Sequence, residues 1–237
     1  MDNYQRLFNE SRPQKNDRLF LPNQEDVKKM IDSEWLQDLL NGVTFYQRKE
    51  YQTAIKYLDR AIQQKSDNHH LYEVRANIKE DSGDILGAIN DYKKSLYISG
   101  SDWYATYNQI AINYLNIKDF NKALIAFDIA IELKDDLKNR GIDENTMPYF
   151  MDGVVTRVDL ERIFSNRANT KLSLLDYKGC GDDCIRAIEI NPEYSNSYFV
   201  FGLMFLALEQ YDNAYKVFKA AESKGHQQAS LILQQFS

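Results

Sequence analysis

The clearest pattern along the chain is a small residue that recurs at nearly constant spacing between large apolar residues. The small position is held by Ala54, Ala88, Ala123, Cys180 and Ala214, at spacings of 34, 35, 57 and 34 residues, the longest being one unit plus a 23-residue insertion. An aromatic or branched residue stands three positions earlier each time: Tyr51, Ile85, Phe120, Tyr177 and Tyr211. A second small residue follows seven positions later: Ala61, Ser95, Ala130, Ala187 and Ala221. These offsets place the residues on one face of a helix, so the pattern predicts five copies of an amphipathic helix.

A partner helix is predicted ahead of each copy, because another small residue precedes it. That residue is followed three positions later by an aromatic in Gly42 with Phe45, Ala111 with Tyr114 and Gly202 with Phe205, and by a lysine in Ala76 with Lys79 and Ala168 with Lys171. Two antiparallel helices approach closely where their crossing points carry small side chains. We therefore predict five helical hairpins in series, an all-α solenoid in which each unit packs on its neighbours.

These residues resemble the signature of the tetratricopeptide repeat family: a small residue and an aromatic in the first helix, an alanine and an aromatic in the second, then a proline. The repeats fall at 35–68, 69–102, 104–137, 161–194 and 195–228. Asn41 and Arg167 depart from the leucine that the family prefers, and only the fourth repeat ends in a proline, Pro192. The resemblance implies a right-handed superhelical solenoid whose first helices line a concave groove.

Three segments lie outside the repeats. Residues 1–22 contain two prolines and charges of both signs, so we expect an extended or disordered arm before a single repeat domain at 23–237. Asn23 is a candidate helix cap, which would start the first helix a turn or more before its repeat. In the insertion, 138–160, the apolar residues after Thr146 suggest that the first helix of the fourth repeat extends backwards. Residues 227–237, after Gly225, are predicted to form a capping helix.

Composition narrows the choice of partners. The net charge of -6 and the isoelectric point near 5.2 disfavour nucleic acid, because binding phosphate needs a basic face. The sequence contains no apolar run of about 18 residues that could span a membrane, and residues 1–22 lack the apolar core of a secretory signal. We expect a cytoplasmic protein, and a homo-oligomer is compatible with the sequence.

No catalytic constellation or cofactor motif is recognisable, so we expect a non-enzyme without cofactor or metal. His69 and His70 are adjacent, and on a helix they should point about 100 degrees apart and not share a metal. Cys180 and Cys184 stand one turn apart and could supply half of a zinc site. They occupy the core positions of the fourth repeat, however, and free cysteine behaves as a small hydrophobe. We therefore expect two buried, reduced thiols.

The family register assigns each first helix a groove face. Both ends are apolar: Leu36, Leu39, Leu40, Val43 and Tyr46 in the first repeat, and Phe199, Val200, Leu203 and Leu206 in the fifth. Between them the register places Glu73, Asn77, Glu80, Asp81, Asn108, Gln109, Ile112, Asn116, Arg162, Ser165, Asn166 and Asn169. Some family members clamp the acidic tails of chaperones with lysines and asparagines in this groove. Glu73 stands where such a clamp needs a lysine, so we do not expect that ligand.

Side-chain amides both donate to and accept from a peptide backbone. The sequence therefore predicts a module that holds an extended peptide, neutral to basic with apolar anchors, in a groove lined by Glu73, Asn77, Asn108, Gln109, Ile112, Arg162, Asn166, Asn169, Phe199 and Leu203. In the alternative, the protein is a sensor or regulatory subunit whose groove takes a signalling peptide or residues 1–22 of the chain itself. In a third interpretation, either the polar face is solvated and has no ligand, or the apolar ends only bury the chain's own arm and capping helix.

Overall fold

The computed structural model describes residues 33–100, 103–140 and 158–235, and 82% of these residues are helical, with no strand among them. The helices in this part of the chain are α1 (Glu34–Gln47), α2 (Tyr51–Gln64), α3 (His69–Asp81), α4 (Ile85–Ser99), α5 (Tyr104–Asn116), α6 (Phe120–Asn139), α7 (Leu160–Ser173), α8 (Tyr177–Ile190), α9 (Ser195–Ala207), α10 (Tyr211–Ser223) and α11 (Gln227–Leu233). None of them is both long enough and apolar enough to cross a membrane. The first ten pack as five consecutive hairpins, which confirms the predicted order of elements.

The described residues belong to two compact units. The first contains α1 to α4, and the second contains α5 to α11. Within the first unit, α2 packs against α3 and thereby joins two hairpins. Within the second unit, α6 packs on α7, α8 on α9, and α11 closes the C-terminal end against α10. The boundary between the units coincides with the predicted boundary between the second and third repeats.

The small residues of the sequence pattern lie where the two helices of each hairpin meet. All five residues at the first small position are fully buried, as are the large residues four positions later: Leu58, Tyr92, Phe127, Cys184 and Phe218. At Gly202 the space is so limited that an added Cβ would lie 2.6 Å from the Phe218 ring. The ring therefore fills the volume that a larger residue in α9 would need. The predicted close approach is confirmed.

The turn inside each hairpin has the same geometry in all five copies. The residue before the cap of the second helix is left-handed, and it is Lys49, Gly83, Lys118, Leu175 or Glu209 in successive repeats. The next residue donates its N–H to a carbonyl near the end of the first helix, as in Asp84 to Lys79 at 2.8 Å and Asp176 to Lys171 at 2.9 Å. Only Gly83 adopts this conformation without strain from a Cβ. Tight packing of the hairpins thus imposes the turn, even where its sequence does not favour it.

An ionic network replaces the usual apolar contact in the second repeat. The Arg75 guanidinium in α3 donates two hydrogen bonds to Asp91 in α4, at 2.7 and 2.6 Å, and a third to Asp59 in α2, at 2.6 Å. Lys79 Nζ lies 2.8 Å from the same Asp91 carboxylate. Asp91 is buried, so its charge is stabilised by these two cations and not by water. The network also connects the second repeat to α2 of the first.

The fourth repeat contains the same network with the same geometry. Arg167 in α7 donates to Asp183 in α8 at 2.8 and 2.7 Å and to Asp128 in α6 at 2.6 Å, and Lys171 Nζ lies 2.8 Å from Asp183. Burial alone would lower the pKa of Arg167, but its hydrogen bonds to Asp183 and Asp128 raise it, so the guanidinium stays charged. Arg167, which stands where the family prefers leucine, is therefore part of this ion network.

Two expected helix extensions are not found in the described residues. Helix α1 begins at Glu34 after an extended Ser33, and α7 begins at Leu160 after an extended Asp159. At the insertion it is instead the preceding helix, α6, that is long, running to Asn139. The expected arm at 1–22, the candidate cap Asn23 and the apolar residues 146–157 lie outside the described residues, as do 236 and 237. Gly225 has a φ of +84° and ends the last hairpin before α11, as predicted.

A first prediction tests the crossing point in the fifth hairpin. We expect Gly202→Ala to destabilise the fold, because overpacking costs about 1–3 kcal/mol and outweighs a gain in helix propensity of about 0.5–1 kcal/mol. Gly181→Ala is the matched control: its added Cβ would be 3.4 Å from the flexible Met204 side chain, so stability should rise slightly. Urea unfolding of the three proteins measures both effects. Equal stability of the two variants would contradict the packing argument.

A second prediction tests the ionic network. Arg167→Ile leaves the buried Asp183 carboxylate with Lys171 alone, and the loss of hydrogen bonds to a charged group should cost at least about 1.5 kcal/mol of unfolding free energy. The triple variant R167I/K171Y/D183A installs the apolar set of the third repeat, Ile110, Tyr114 and Ala126. It should recover much of the loss in a urea titration. A triple variant as unstable as R167I would show that apolar residues cannot pack at these three positions.

Candidate functional site

The first helices of the second unit, α5, α7 and α9, lie side by side. α5 contacts α7, and α7 contacts α9, where Asn196 Nδ2 donates to Ser165 Oγ at 2.9 Å. We call the surface that these helices present the first-helix face. The three helices contain the predicted groove residues Asn108, Gln109, Ile112, Arg162, Asn166, Asn169, Phe199 and Leu203, and all of these except the buried Asn108 belong to the first-helix face. The other two predicted groove residues, Glu73 and Asn77, lie on α3 in the first unit.

Three amides of the first-helix face form no side-chain hydrogen bond within the described part of the chain. They belong to Gln109, Asn166 and Asn169, which are half-buried. The hydroxyls of Thr170 and Ser173 donate to the main-chain carbonyls of Asn166 and Asn169, at 2.9 and 3.0 Å, and leave the amides untouched. Asn166 and Asn169 are three residues apart on one helix and so are neighbours on its surface. They offer two donor and acceptor pairs at adjacent positions.

The other two predicted amides differ from these three, because Asn108 is buried and Asn77 is already hydrogen-bonded within its hairpin. Asn108 is only 1% exposed, and its Oδ1 is a buried acceptor without a hydrogen-bond partner among the described residues. Asn77 Oδ1 accepts a short hydrogen bond from the Tyr92 hydroxyl in the other helix of its hairpin. The sequence register alone could not distinguish half-buried amides without a hydrogen bond from amides that are buried or already bonded.

Arg162 and Ile112 add a charge and an apolar side chain to this face. Arg162 is exposed, and its guanidinium carbon lies 5.6 Å from the centroid of the Tyr194 ring, a distance suited to a cation–π contact. Ile112 on α5 is half-buried. Asn166 and Asn169 therefore have an exposed cation on their own helix and an aliphatic side chain on the neighbouring one.

The apolar end in the fifth repeat is partly covered by the chain itself. Phe199 stacks on His226, with ring centroids 4.1 Å apart, and packs with Leu203 against a core cluster that includes Leu233 of α11. His226 Nδ1 also accepts the N–H of Ala229 at 3.3 Å and so caps α11, a role that the sequence did not suggest. Burial lowers the pKa of His226, which keeps the imidazole neutral and able to accept. At this end the face is therefore an apolar surface that helps to bury the capping helix, as in the third interpretation of the sequence, and not an open pocket.

Glu73 in the first unit is a buried carboxylate held by its own hairpin. It is 7% exposed, and Oε1 accepts a hydrogen bond from the Ser95 hydroxyl at 2.7 Å. Burial alone would raise the pKa of Glu73, but the His69 and His70 imidazoles and the Ser95 hydroxyl lower it to about 2. The group therefore stays negative, but it is not an exposed groove charge.

The expectation that His69 and His70 point apart is wrong. Their ring centroids are only 3.6 Å apart, and both rings approach the same carboxylate: His69 Nδ1 lies 3.9 Å from Glu73 Oε1, and His70 Nδ1 lies 3.4 Å from Oε2. The helical-wheel angle describes the Cα–Cβ directions, whereas rotation about the side-chain bonds brings both imidazoles together. The signal in the sequence was Glu73 itself, placed four and three residues after the two histidines.

The two cysteines occupy the core, as expected. Cys180 and Cys184 are free thiols and fully buried, packed against Ala168, Val200 and Met204. The neighbouring Cys180 and burial both raise the pKa of Cys184, so the thiol stays protonated and unreactive.

Comparison with known proteins identifies the fold. No family model matches the sequence, and a comparison with curated proteins gave no match. Among solved structures, YrrB, described as a TPR protein with an unusual peptide-binding site, has a TM-score of 0.61 at 11% identity over 89% of this chain and 96% of its own. MamA from Desulfovibrio magneticus RS-1 gives 0.64 at 12% identity, over 81% and 95%. PilF from Pseudomonas aeruginosa gives 0.59 at 13% identity, over 83% and 78%.

These similarities and the buried repeat positions agree on one class of protein. The chain has the tetratricopeptide-repeat fold, built from five helix-turn-helix repeats and a C-terminal capping helix. The resemblance read from the sequence is thereby confirmed at the level of the fold.

Proposed function

We propose that the chain is a non-enzymatic protein-interaction module whose first-helix face holds an extended peptide or partner segment. The observation that carries this proposal is a set of half-buried residues on α5 and α7 whose side-chain amides form no hydrogen bond among the described residues: Gln109, Asn166 and Asn169. An extended peptide offers one N–H and one C=O per residue, which such amides can pair with regardless of sequence. The peptide-binding site ascribed to YrrB, on the same fold, adds support.

In this proposal the residues of the face have different tasks. Asn166 and Asn169 hold the main chain of the ligand, and Gln109 extends the contact from α5. Ile112 supplies an apolar contact, and Arg162 with Tyr194 supplies a flat cationic one. Phe199 and Leu203 form the apolar edge, partly occupied by the cap. We keep the expected ligand neutral to basic with aliphatic or aromatic anchors, which the net charge of -6 favours electrostatically.

The N-terminal residues of the chain are a specific candidate for the alternative, regulatory role. Residues 1–22 contain four basic and three acidic side chains together with Phe8 and Phe20. This composition is that of the expected ligand, a slightly basic segment with aromatic anchors. In the alternative, this segment competes with the external peptide for the face and makes the protein a sensor or regulatory subunit.

The location and the excluded partners are part of the same proposal. We place the protein in the cytoplasm, which two buried free thiols favour because reducing compartments keep cysteines unpaired. Nucleic acid is disfavoured by the acidic balance of the chain.

A third prediction tests the amides. Replacing Asn166 and Asn169 with alanine should remove two hydrogen bonds of about 0.5–1.5 kcal/mol each and weaken peptide binding roughly five- to a hundred-fold, while the melting temperature changes little. The probe is a peptide selected against the wild-type protein from a displayed library of random sequences, and calorimetric titration measures its affinity. Asn121→Ala, an exposed amide at the start of α6, is the matched control and should bind as the wild type does.

Two results would contradict this assignment. Equal affinity of the double variant and the Asn121 control would remove the amides from the mechanism. Selection of strongly acidic peptides would contradict the charge argument and leave the first-helix face without its expected preference.

A fourth prediction separates the two roles. If residues 1–22 occupy the face, their deletion should strengthen binding of the selected peptide, because the competing intramolecular segment is removed. A synthetic peptide of residues 1–22 should then bind the shortened chain, and N166A/N169A should weaken that binding too. Unchanged affinity after the deletion, with no binding of the synthetic peptide, would leave an external ligand as the occupant.

A further inference from the structure

The start of α3 gathers three groups that could hold a metal. His69 is the first residue of the helix, and Asn68 caps it by accepting the N–H of His70. Because Glu73 follows by four and three residues, its carboxylate comes under both imidazoles. One ligand atom from each of His69, His70 and Glu73 lies within 4.8 Å of the other two.

The distances are close to those of a bound ion. Zn²⁺ binds imidazole nitrogen and carboxylate oxygen at about 2.0–2.2 Å, so two ligands of a tetrahedral ion stand roughly 3.3 Å apart. His70 Nδ1 and Glu73 Oε2 are separated by 3.4 Å, and His69 Nδ1 and Glu73 Oε1 by 3.9 Å. Both histidine–carboxylate distances are therefore within 1 Å of the separation that a bound ion requires.

The carboxylate is held in place from behind. The Ser95 hydroxyl in α4 donates a hydrogen bond to Glu73 Oε1 at 2.7 Å, and the Glu73 side chain is buried. The carboxylate is therefore held in position before an ion binds. His69 Nδ1 is enclosed and has no hydrogen-bond partner in the part of the chain that the structure describes. An unpaired buried nitrogen costs free energy that a metal bond would recover.

The site is also open enough for an ion to enter. The His69 and His70 side chains are 32% and 27% exposed, whereas the carboxylate lies beneath them. Three protein ligands leave a fourth position of a tetrahedral ion to water. Imidazole and carboxylate together favour late first-row divalent ions over Ca²⁺ or Mg²⁺, which take oxygen ligands.

We infer that His69, His70 and Glu73 form a binding site for one late first-row divalent ion, with Zn²⁺ as the probe. The ion is bound by Nδ1 of each histidine and by the Glu73 carboxylate. This site belongs to the first unit and does not depend on the proposed peptide-binding role.

The chain contains its own controls for the test. It has three histidines and two cysteines, so His226→Gln and Cys180→Ala remove the remaining histidine and the alternative thiol pair. Ser95→Ala removes only the group behind Glu73 and installs the alanine found at this position in the other four repeats. Full-length protein without an affinity tag is freed of metal with a chelator and titrated with Zn²⁺ by calorimetry.

We expect one ion per wild-type chain. H69Q and H70Q should each weaken binding at least about tenfold, and S95A should weaken it by about tenfold, as outer-shell changes do. H226Q and C180A should bind as the wild type does. Circular dichroism of the metal-free proteins checks that all variants are folded. With Co²⁺ in place of Zn²⁺, the visible bands should appear without thiolate charge transfer in the near ultraviolet.

Three results would overturn the inference. Absence of binding to the folded wild type would show that the two histidines only contact the buried carboxylate of Glu73 and hold no ion. Binding that survives H69Q and H70Q would place the ion elsewhere. Loss of binding in C180A, with thiolate charge transfer in the Co²⁺ spectrum, would assign the metal to the cysteines.

Discussion

The close approach of two helices at small side chains is the constraint on which the rest of this structure depends. At Gly202 the Phe218 ring occupies the space where a Cβ would be, so the crossing admits no larger residue. Because this contact fixes the geometry of each hairpin, one residue in its turn must adopt a left-handed backbone conformation. This holds even where that residue is Leu175 and not glycine. The same register then decides which side of every first helix is free to face a ligand. Packing thus determines which residues of each first helix stay exposed.

The second and fourth repeats show that one slot in this framework accepts two kinds of chemistry. Arg167, Lys171 and Asp183 fill in the fourth repeat the volume that the third fills with Ile110, Tyr114 and Ala126. Compared with apolar packing, a buried ion pair adds little net stability. The fold is strongly destabilised, however, when one member of the pair is removed. The guanidinium also reaches Asp128 of the preceding helix, a contact that the shorter apolar residues do not make. The ionic version therefore specifies which helix is the neighbour, as well as holding the hairpin together.

The sequence predicted what is local and periodic and missed what depends on side-chain partners. The positions of Ala54 and Ala214 follow from helical spacing alone, and so do the hairpins and the capping helix. The ionic network was overlooked, although Arg75 with Asp91 and Arg167 with Asp183 repeat the same separation of 16 residues. The signal in the sequence that could have revealed the network was a pair of opposite charges at the same positions in two repeats. The arrangement of the histidines could not be read from a helical wheel, because it depends on side-chain rotation.

In the candidate site, too, the position of a residue in the repeat could be predicted from the sequence, whereas its hydrogen-bond partner could not. Asn77 and Asn169 were equivalent in the sequence, each directly after the small residue of its first helix. In the structure the side chain of Asn77 is bound by Tyr92, whereas the side-chain amide of Asn169 forms no hydrogen bond within the described residues. The difference arises from the second helix of the hairpin, which offers a hydroxyl in one repeat and none in the other. Most polar side chains of a folded protein have a hydrogen-bond partner, either in the protein or in water. A half-buried amide without a partner in the described chain is therefore the place where a ligand can add one.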